Sequence, residues 1–202
     1  MIWLMINPFA YFDSLSICKR LQDTLGNATI AEIYLFAYLS CLLSLYEKLP
    51  ASSWEYQFSI TKEGYPYSVA LDTSVQDHIN NGLLDGKEYY VELTESGKEV
   101  YNQLRTLELN YWREPFIEGA CSTILAMPIG IIRKSISQES EIKSALDLSQ
   151  SRMLLTDAEQ DVIYKQFSTL SSAIGMEVKE LMVPALVWLK CLSEQEDFES
   201  GS

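Results

Sequence analysis

The stretch Ile79–Gly97 constrains the fold of this chain more tightly than any other: it reads INNGLL, then DGKEYYVEL, then TESG. Gly82 ends a helix ahead of the apolar pair Leu83-Leu84. Asp85-Gly86 is a two-residue hairpin signal, because both positions tolerate the positive φ that tight hairpin turns require. Tyr89, Val91 and Leu93 then alternate with Tyr90 and Glu92, the period of a half-buried strand. Thr94 supplies an N-capping hydroxyl for a further helix, with Gly97 in its first turn.

Helix, short hairpin, strand and capped helix in that order predict a winged-helix domain, a scaffold that binds DNA or protein and seldom catalyses. Upstream, Met1 to Asp13 is apolar and reads as extended, with Pro8 interrupting any early helix. Ser14 to Leu25 reads as a helix with Leu15, Cys18, Leu21 and Leu25 on one face and a stop at Gly26-Asn27. A second helix is expected from Thr29 to about Lys48, apolar nearly all round and therefore surrounded by protein. Trp54, Tyr56 and Phe58 alternate as in a short strand, and Gly64-Tyr65-Pro66 marks a turn. Asp72 is expected to cap a short helix to about Asn81, in the recognition-helix position.

Past Pro115 the pattern is helical. The spacing predicts helices over Gly119–Lys134 with a kink or break at Pro128, and over Glu139–Leu148. A third opens at a capping box, Thr156 to Glu159, and a fourth spans Glu177–Leu192 with a kink at Pro184. No repeat with a period of about 20–50 residues is present. The expected fold class is mainly α with a small β wing. A winged-helix domain with an N-terminal apolar arm spans 1–114, an all-helical extension 115–193, and an acidic flexible tail 194–202.

Composition narrows the function. Hydrophobic residues make up 48% of the chain and aromatics 11%, enough for a substantial core. Twenty-eight acids oppose fifteen bases, a net charge of -13 that repels phosphate backbones unless a local basic patch overrides it. Around the hairpin the imbalance persists: Asp72, Asp77, Asp85, Glu88, Glu92, Glu95 and Glu99 face only Lys87 and Lys98, a balance of -5. Direct DNA binding is disfavoured. Cys18, Cys41, Cys121 and Cys191 form no CxxC pair and lie in apolar helical contexts, which reads as buried thiols in a reducing cytoplasm. The N-terminus MIWLMINPFAYFD lacks a basic region and does not read as a signal peptide, and Gly201-Ser202 reads as a linker scar. Ile33–Tyr46 is uncharged but shorter than the roughly 18 residues of a membrane span.

Catalytic chemistry needs clustered titratable groups. His78 is the only histidine, which removes His-rich metal sites and leaves any triad dependent on that one residue, with no GxSxG elbow beside it. Phosphate-binding loops of the GxxxxGK[ST] and GxGxxG kinds are absent from the sequence. No catalytic residue, metal or cofactor is expected. Binding signals are stronger. The leading MIWLMI, with Ile2, Trp3 and Met5, is an apolar arm that either packs on its own domain or docks on a partner. Tyr111-Trp112-Arg113-Glu114-Pro115-Phe116 gathers the residue types enriched at interface hot spots, with core packing as the alternative.

The order Asn7-Pro8, apolar lead helix, aromatic loop into GYPYSVALD, INNGLL, hairpin, LTESG and then ILAMPIGIIRKSI resembles one known group. It is similar to the small middle component of ABC-three-component bacterial defence operons, which include the small subunit of Lamassu-type systems. The likeness runs from about Met1 to Leu148. It implies a non-enzymatic cytoplasmic subunit that sits with an SMC-like ABC ATPase and a nuclease effector in anti-phage or anti-plasmid defence. DNA would be met only through the complex, with no membrane and no small-molecule ligand. Ile2, Trp3, Met5, Trp112, Arg113 and Phe116 are the residues expected at the partner interface. The alternative is a transcription regulator of the PadR or MarR kind with a helical dimerisation extension; a third reading, an enzyme with an acidic site, has only carboxylates in its favour.

Overall fold

The computed structural model describes residues 6–61, 64–87, 90–175 and 180–199. It is mainly helical, with two small antiparallel sheets. Helix α1 runs from Pro8 to Leu25, several residues earlier than the sequence reading placed it. Pro8 occupies the first helical position, where its missing N–H costs nothing and its fixed φ is already helical. Asn7 caps it, its Oδ1 accepting from Phe9 N and Ala10 N, each at 3.0 Å. Asn-Pro therefore starts this helix instead of breaking it. Gly26, in the left-handed region at φ 87°, ends it.

Helix α2, Ile30–Tyr46, begins at a reciprocal capping box: Thr29 Oγ1 accepts from Glu32 N at 3.2 Å, and Glu32 Oε2 accepts from Thr29 N at 2.8 Å. Every residue from Ile33 to Leu45 is buried, as an all-round apolar helix requires. It packs against α1 on one side and receives the C-terminal helices on others.

After α2 the aromatic segment alternates in burial but is not itself a strand. Ala51–Trp54 is a single 3-10 turn, Glu55 takes φ 65°, and strand β1 is only Ser59–Ile60. Trp54, Tyr56 and Phe58 turn inward and pack ring against ring while Glu55 and Gln57 between them are exposed, so the two-residue burial period is kept although residues 54–58 pair in no strand. Strand β1 pairs antiparallel with β2, Pro66–Tyr67, and with β5, Arg152–Met153, in the order β2-β1-β5. Helix α3, Val69–Asn80, starts after Ser68 rather than at Asp72. Asp72 lies in its first turn and accepts from the Tyr34 hydroxyl at 2.7 Å.

Strands β3, Leu84–Gly86, and β4, Val91–Leu93, pair Leu84 with Leu93, Asp85 with Glu92 and Gly86 with Val91. The hairpin signal Asp85-Gly86 thus lies within a strand, and Lys87 N donates to Tyr90 O at 2.8 Å beyond it. A turn at 85–86 would have set Leu84 opposite Lys87; the observed register places it opposite Leu93, with both buried. Ala28, between α1 and α2, bridges Val91 on the other side of β4. Thr94 caps α4, Glu95–Leu104, by accepting from Gly97 N at 3.1 Å.

A short helix α5, Glu108–Tyr111, leads into α6, Glu114–Ser122. Pro128 produces a break: α7, Ile129–Ser137, leaves the preceding helical stretch at a bend of 116°. Helix α8, Ser140–Asp147, is capped by Glu139; α9, Asp157–Ile174, opens at the Thr156–Glu159 capping box. Helix α10 runs from Met182 to Glu199, so the stretch expected as a flexible acidic tail from 194 is helical through Glu199. Pro184 sits in the first turn of α10, where it need not kink the helix. The boundary expected between 114 and 115 falls inside α6, and a single hydrophobic core runs across it, from Phe12 and Leu39 to Phe167 and Leu189. No single helix among the described residues is long and apolar enough to cross a membrane.

Candidate interaction surface

The expected partner-binding residues divide in two. Ile2, Trp3 and Met5 lie outside the described residues. Trp112, Arg113 and Phe116 do come together, but inward: Arg113 and Phe116 are buried and Trp112 is half-buried. In this conformation Arg113 has no exposed atom to offer a partner.

Arg113 sits in an aromatic box. Its Nε donates to Asp13 Oδ1 at 2.8 Å, its Nη2 to Asp13 Oδ2, and its Nη1 to Trp54 O at 3.3 Å. The guanidinium lies 3.9 Å from the Trp54 ring centre, 4.9 Å from Trp112 and 5.0 Å from Phe9. The Tyr56 hydroxyl donates to Asp13 Oδ2 at 2.6 Å, closing the carboxylate's shell. Burial works against the guanidinium's charge, Asp13 outweighs it, and the Arg113 pKa is raised. Burial and then Asp13 push the Tyr56 phenol well above its usual value. The assembly ties α1, the 3-10 turn and α6 together. The residue types that signal a hot spot are equally those of a buried cation box, and Asp13, which decides between the two, carries no local sequence signal.

His78 is likewise internal. Its Nε2 lies 3.0 Å from Tyr11 O and 3.0 Å from Ser14 Oγ. Tyr11 O can only accept, so the proton belongs on Nε2, and Nδ1 is left buried without a partner. The ring packs 4.0 Å from that of Tyr11. Burial lowers the His78 pKa to about 4, so the ring is neutral and fastens α3 to α1. Cys18, Cys41 and Cys121 are buried, each thiol pushed up to about 12 chiefly by desolvation. Cys191 is exposed, against the expectation of four buried thiols, because its position on α10 faces outward.

Outward, α3 offers Val69, Thr73, Gln76, Asp77 and Asn80, and its sequence VALDTSVQDHIN contains no lysine or arginine. Lys87 pairs with Glu92 at 2.8 Å and Lys98 with Glu95 at 2.6 Å, so both cations of the hairpin region are engaged by acids. Among the described residues, no group of three or more His, Cys, Asp or Glu is placed to hold a metal ion.

Two clefts share residues 55–58 and Met153 as a common wall. One, of about 420 Å³, opens beside the start of α3 and is lined by Asn7, Phe58, Tyr67, Ser68 and Val69 among others. The other, of about 680 Å³, lies toward the start of α9, with Ala51, Leu155 and Gln160 in its lining. Comparison of the chain with protein-family models, with curated proteins and with solved structures gives no match.

Proposed function

We propose that this chain is a non-enzymatic, protein-binding subunit on a winged-helix plan, accessory to an SMC-like ATPase and a nuclease effector in a bacterial anti-phage or anti-plasmid complex. The observation that carries the binding preference is the character of α3. In the recognition position of such a plan it presents Asp77 and uncharged polar groups, with no cation to neutralise a phosphate. The Lys87–Glu92 and Lys98–Glu95 pairs leave the adjoining hairpin little positive charge to add. The plan itself is supported by the Ala28–Val91 bridge, which adds a third backbone segment to the β3–β4 hairpin between α1 and α2. His78, the residue a catalytic reading would need, is spent on holding α3 to α1.

The test is co-expression with coiled-coil ATPase and nuclease candidates encoded beside it, followed by affinity purification of this chain and measurement of duplex DNA binding by the isolated protein. The reading expects a stoichiometric complex with the ATPase, and DNA affinity in the complex that the isolated chain lacks. Nanomolar, salt-sensitive binding of the isolated chain to its own promoter would replace it with a transcription regulator.

A further inference from the structure

The central strand of the β2-β1-β5 sheet outruns both of its neighbours. On one flank β2 passes through Ser68 into α3. On the other, Leu154 N donates to Phe58 O at 2.9 Å, and Leu155, at φ 59°, then turns the chain toward α9. Residues 55–58 therefore continue the line of β1 alone, with one cleft along each flank.

In an extended chain, the N–H and C=O of one residue point to one edge and those of the next residue to the other. Phe58 O faces β5, so Tyr56 presents its amide and carbonyl to that same edge, toward α9. The opposite edge is partly taken, because Asn7 Nδ2 donates to Glu55 O at 2.8 Å. Among the described residues, neither main-chain group of Tyr56 has a hydrogen-bond partner. Buried main-chain groups are almost always paired. An unpaired set on the wall of a cleft of about 680 Å³ is a solvated strand edge, the arrangement to which extended peptides add.

Charge selects the occupant. Glu55 on the strap and Asp157 at the start of α9 both line this cleft and are exposed, and its lining contains no lysine or arginine. Met153, 45% exposed, supplies an apolar rim. We propose that this edge takes an extended basic segment of a partner protein, added as a strand beside Tyr56. Its alternate lysine or arginine side chains lay their stems across Met153 and their charges between Glu55 and Asp157. The intervening residues, small and apolar, face inward toward Ala51. The inference rests on the reading of this chain as a protein-binding subunit and adds the place and chemistry of the contact.

The probe is an acetylated octapeptide of alternating valine and lysine, titrated into the isotope-labelled full chain and followed by amide chemical shifts. Shifts are expected at 55–58 and 154–157, with slower exchange of the Tyr56 amide. A peptide N-methylated at alternate amides, which cannot pair, and one with glutamate in place of lysine should each bind at least about tenfold more weakly. The double variant Glu55→Asn with Asp157→Asn should lose affinity for the valine–lysine peptide by about the same factor. Asparagine tolerates the φ of 65° at position 55, and circular dichroism checks the fold. Equal binding by either control peptide or by the variant overturns the inference. Shifts spread over the acidic surface or confined to 67–73, or no binding at millimolar peptide, overturn it equally. If the chain still co-purifies with the ATPase in those cases, the protein-binding reading stands and only this site falls. Peptide bound at the strap with no ATPase recovered supports the site and removes only the choice of complex.

Discussion

Asp13 and Arg113 stand 100 residues apart in sequence and share two hydrogen bonds at the centre of the molecule, with neither side chain reaching solvent. Removing one partner strands the other's charge in an aromatic enclosure. Arg113→Met is expected to cost about 3–5 kcal/mol, whereas the double change Asp13→Leu with Arg113→Met recovers most of that loss. Urea denaturation read at constant m-value checks both. A single variant within about 1 kcal/mol of the parent would mean that the pair contributes no more than a surface ion pair.

His78 gives the acid limb of the stability curve a recognisable component. Its folded pKa of about 4 lies below the unfolded value of 6.5, so the unfolded chain binds more protons between those values. The contribution is complete above pH 6.5 and lost as pH falls toward 4. At roughly 1.4 kcal/mol per unit it amounts to about 3 kcal/mol. His78→Phe keeps the packing on Tyr11 and removes the titration. The difference between parent and variant stability should therefore slope between pH 6.5 and 4 and flatten outside that window. A parallel pair of curves would rule out a buried neutral ring.

Glu139 acts with the opposite sign. It is buried, its Oε2 accepts from Glu141 N and Ile142 N at the start of α8, and desolvation raises its pKa above 4.5. A raised carboxyl contributes most below its unfolded pKa and loses that contribution as pH rises through the folded value. Glu139→Gln retains an acceptor for both amides and carries no charge. Its melting temperature relative to the parent should rise on going from pH 4 to pH 8; an unchanged or falling difference would mean that the carboxylate is well solvated.

Gly97 is where α4 meets the hairpin most closely. A Cβ there would lie 2.1 Å from Leu83 O and 2.8 Å from Leu93 Cδ1. Gly97→Ala must push α4 away from the Leu83 carbonyl at the foot of the hairpin and displace the Leu93 side chain of β4, at an expected cost of about 1–3 kcal/mol. Amide exchange at Val91 and Leu93 should accelerate more than exchange in α9, which shows whether the damage is local.

The parts legible from sequence are those whose cause is local. Thr94 caps α4 and the Thr156 capping box opens α9 as the sequence predicts, and α2 is buried from Ile33 to Leu45. Misreadings arose where one signal has two structural uses. Asn7-Pro8 serves both as a break and as an N-cap with proline at the first helical position; the Asn7 bonds to Phe9 N and Ala10 N decide for the second. Asp85-Gly86 favours a turn locally, but the pairing of Leu84 with Leu93 sets the register. Trp112, Arg113 and Phe116 form a cluster, as their composition suggests, yet whether it faces in or out depends on Asp13 and Trp54 far along the chain. Both clefts join residues from distant segments, and no short pattern could announce them.

Helix α2 has consequences for how the molecule could be divided or pulled. Its flanks carry α1 toward the hairpin, while Tyr46 meets the Phe167 ring of α9 edge-on at 5.6 Å between centres. A cut after residue 114 would leave this greasy spindle bare along one side, so a protease or a truncated gene would yield an insoluble fragment instead of two smaller working proteins. By the same wiring, whatever grips α9 from outside tugs on the axle that α1 and its histidine latch are mounted on.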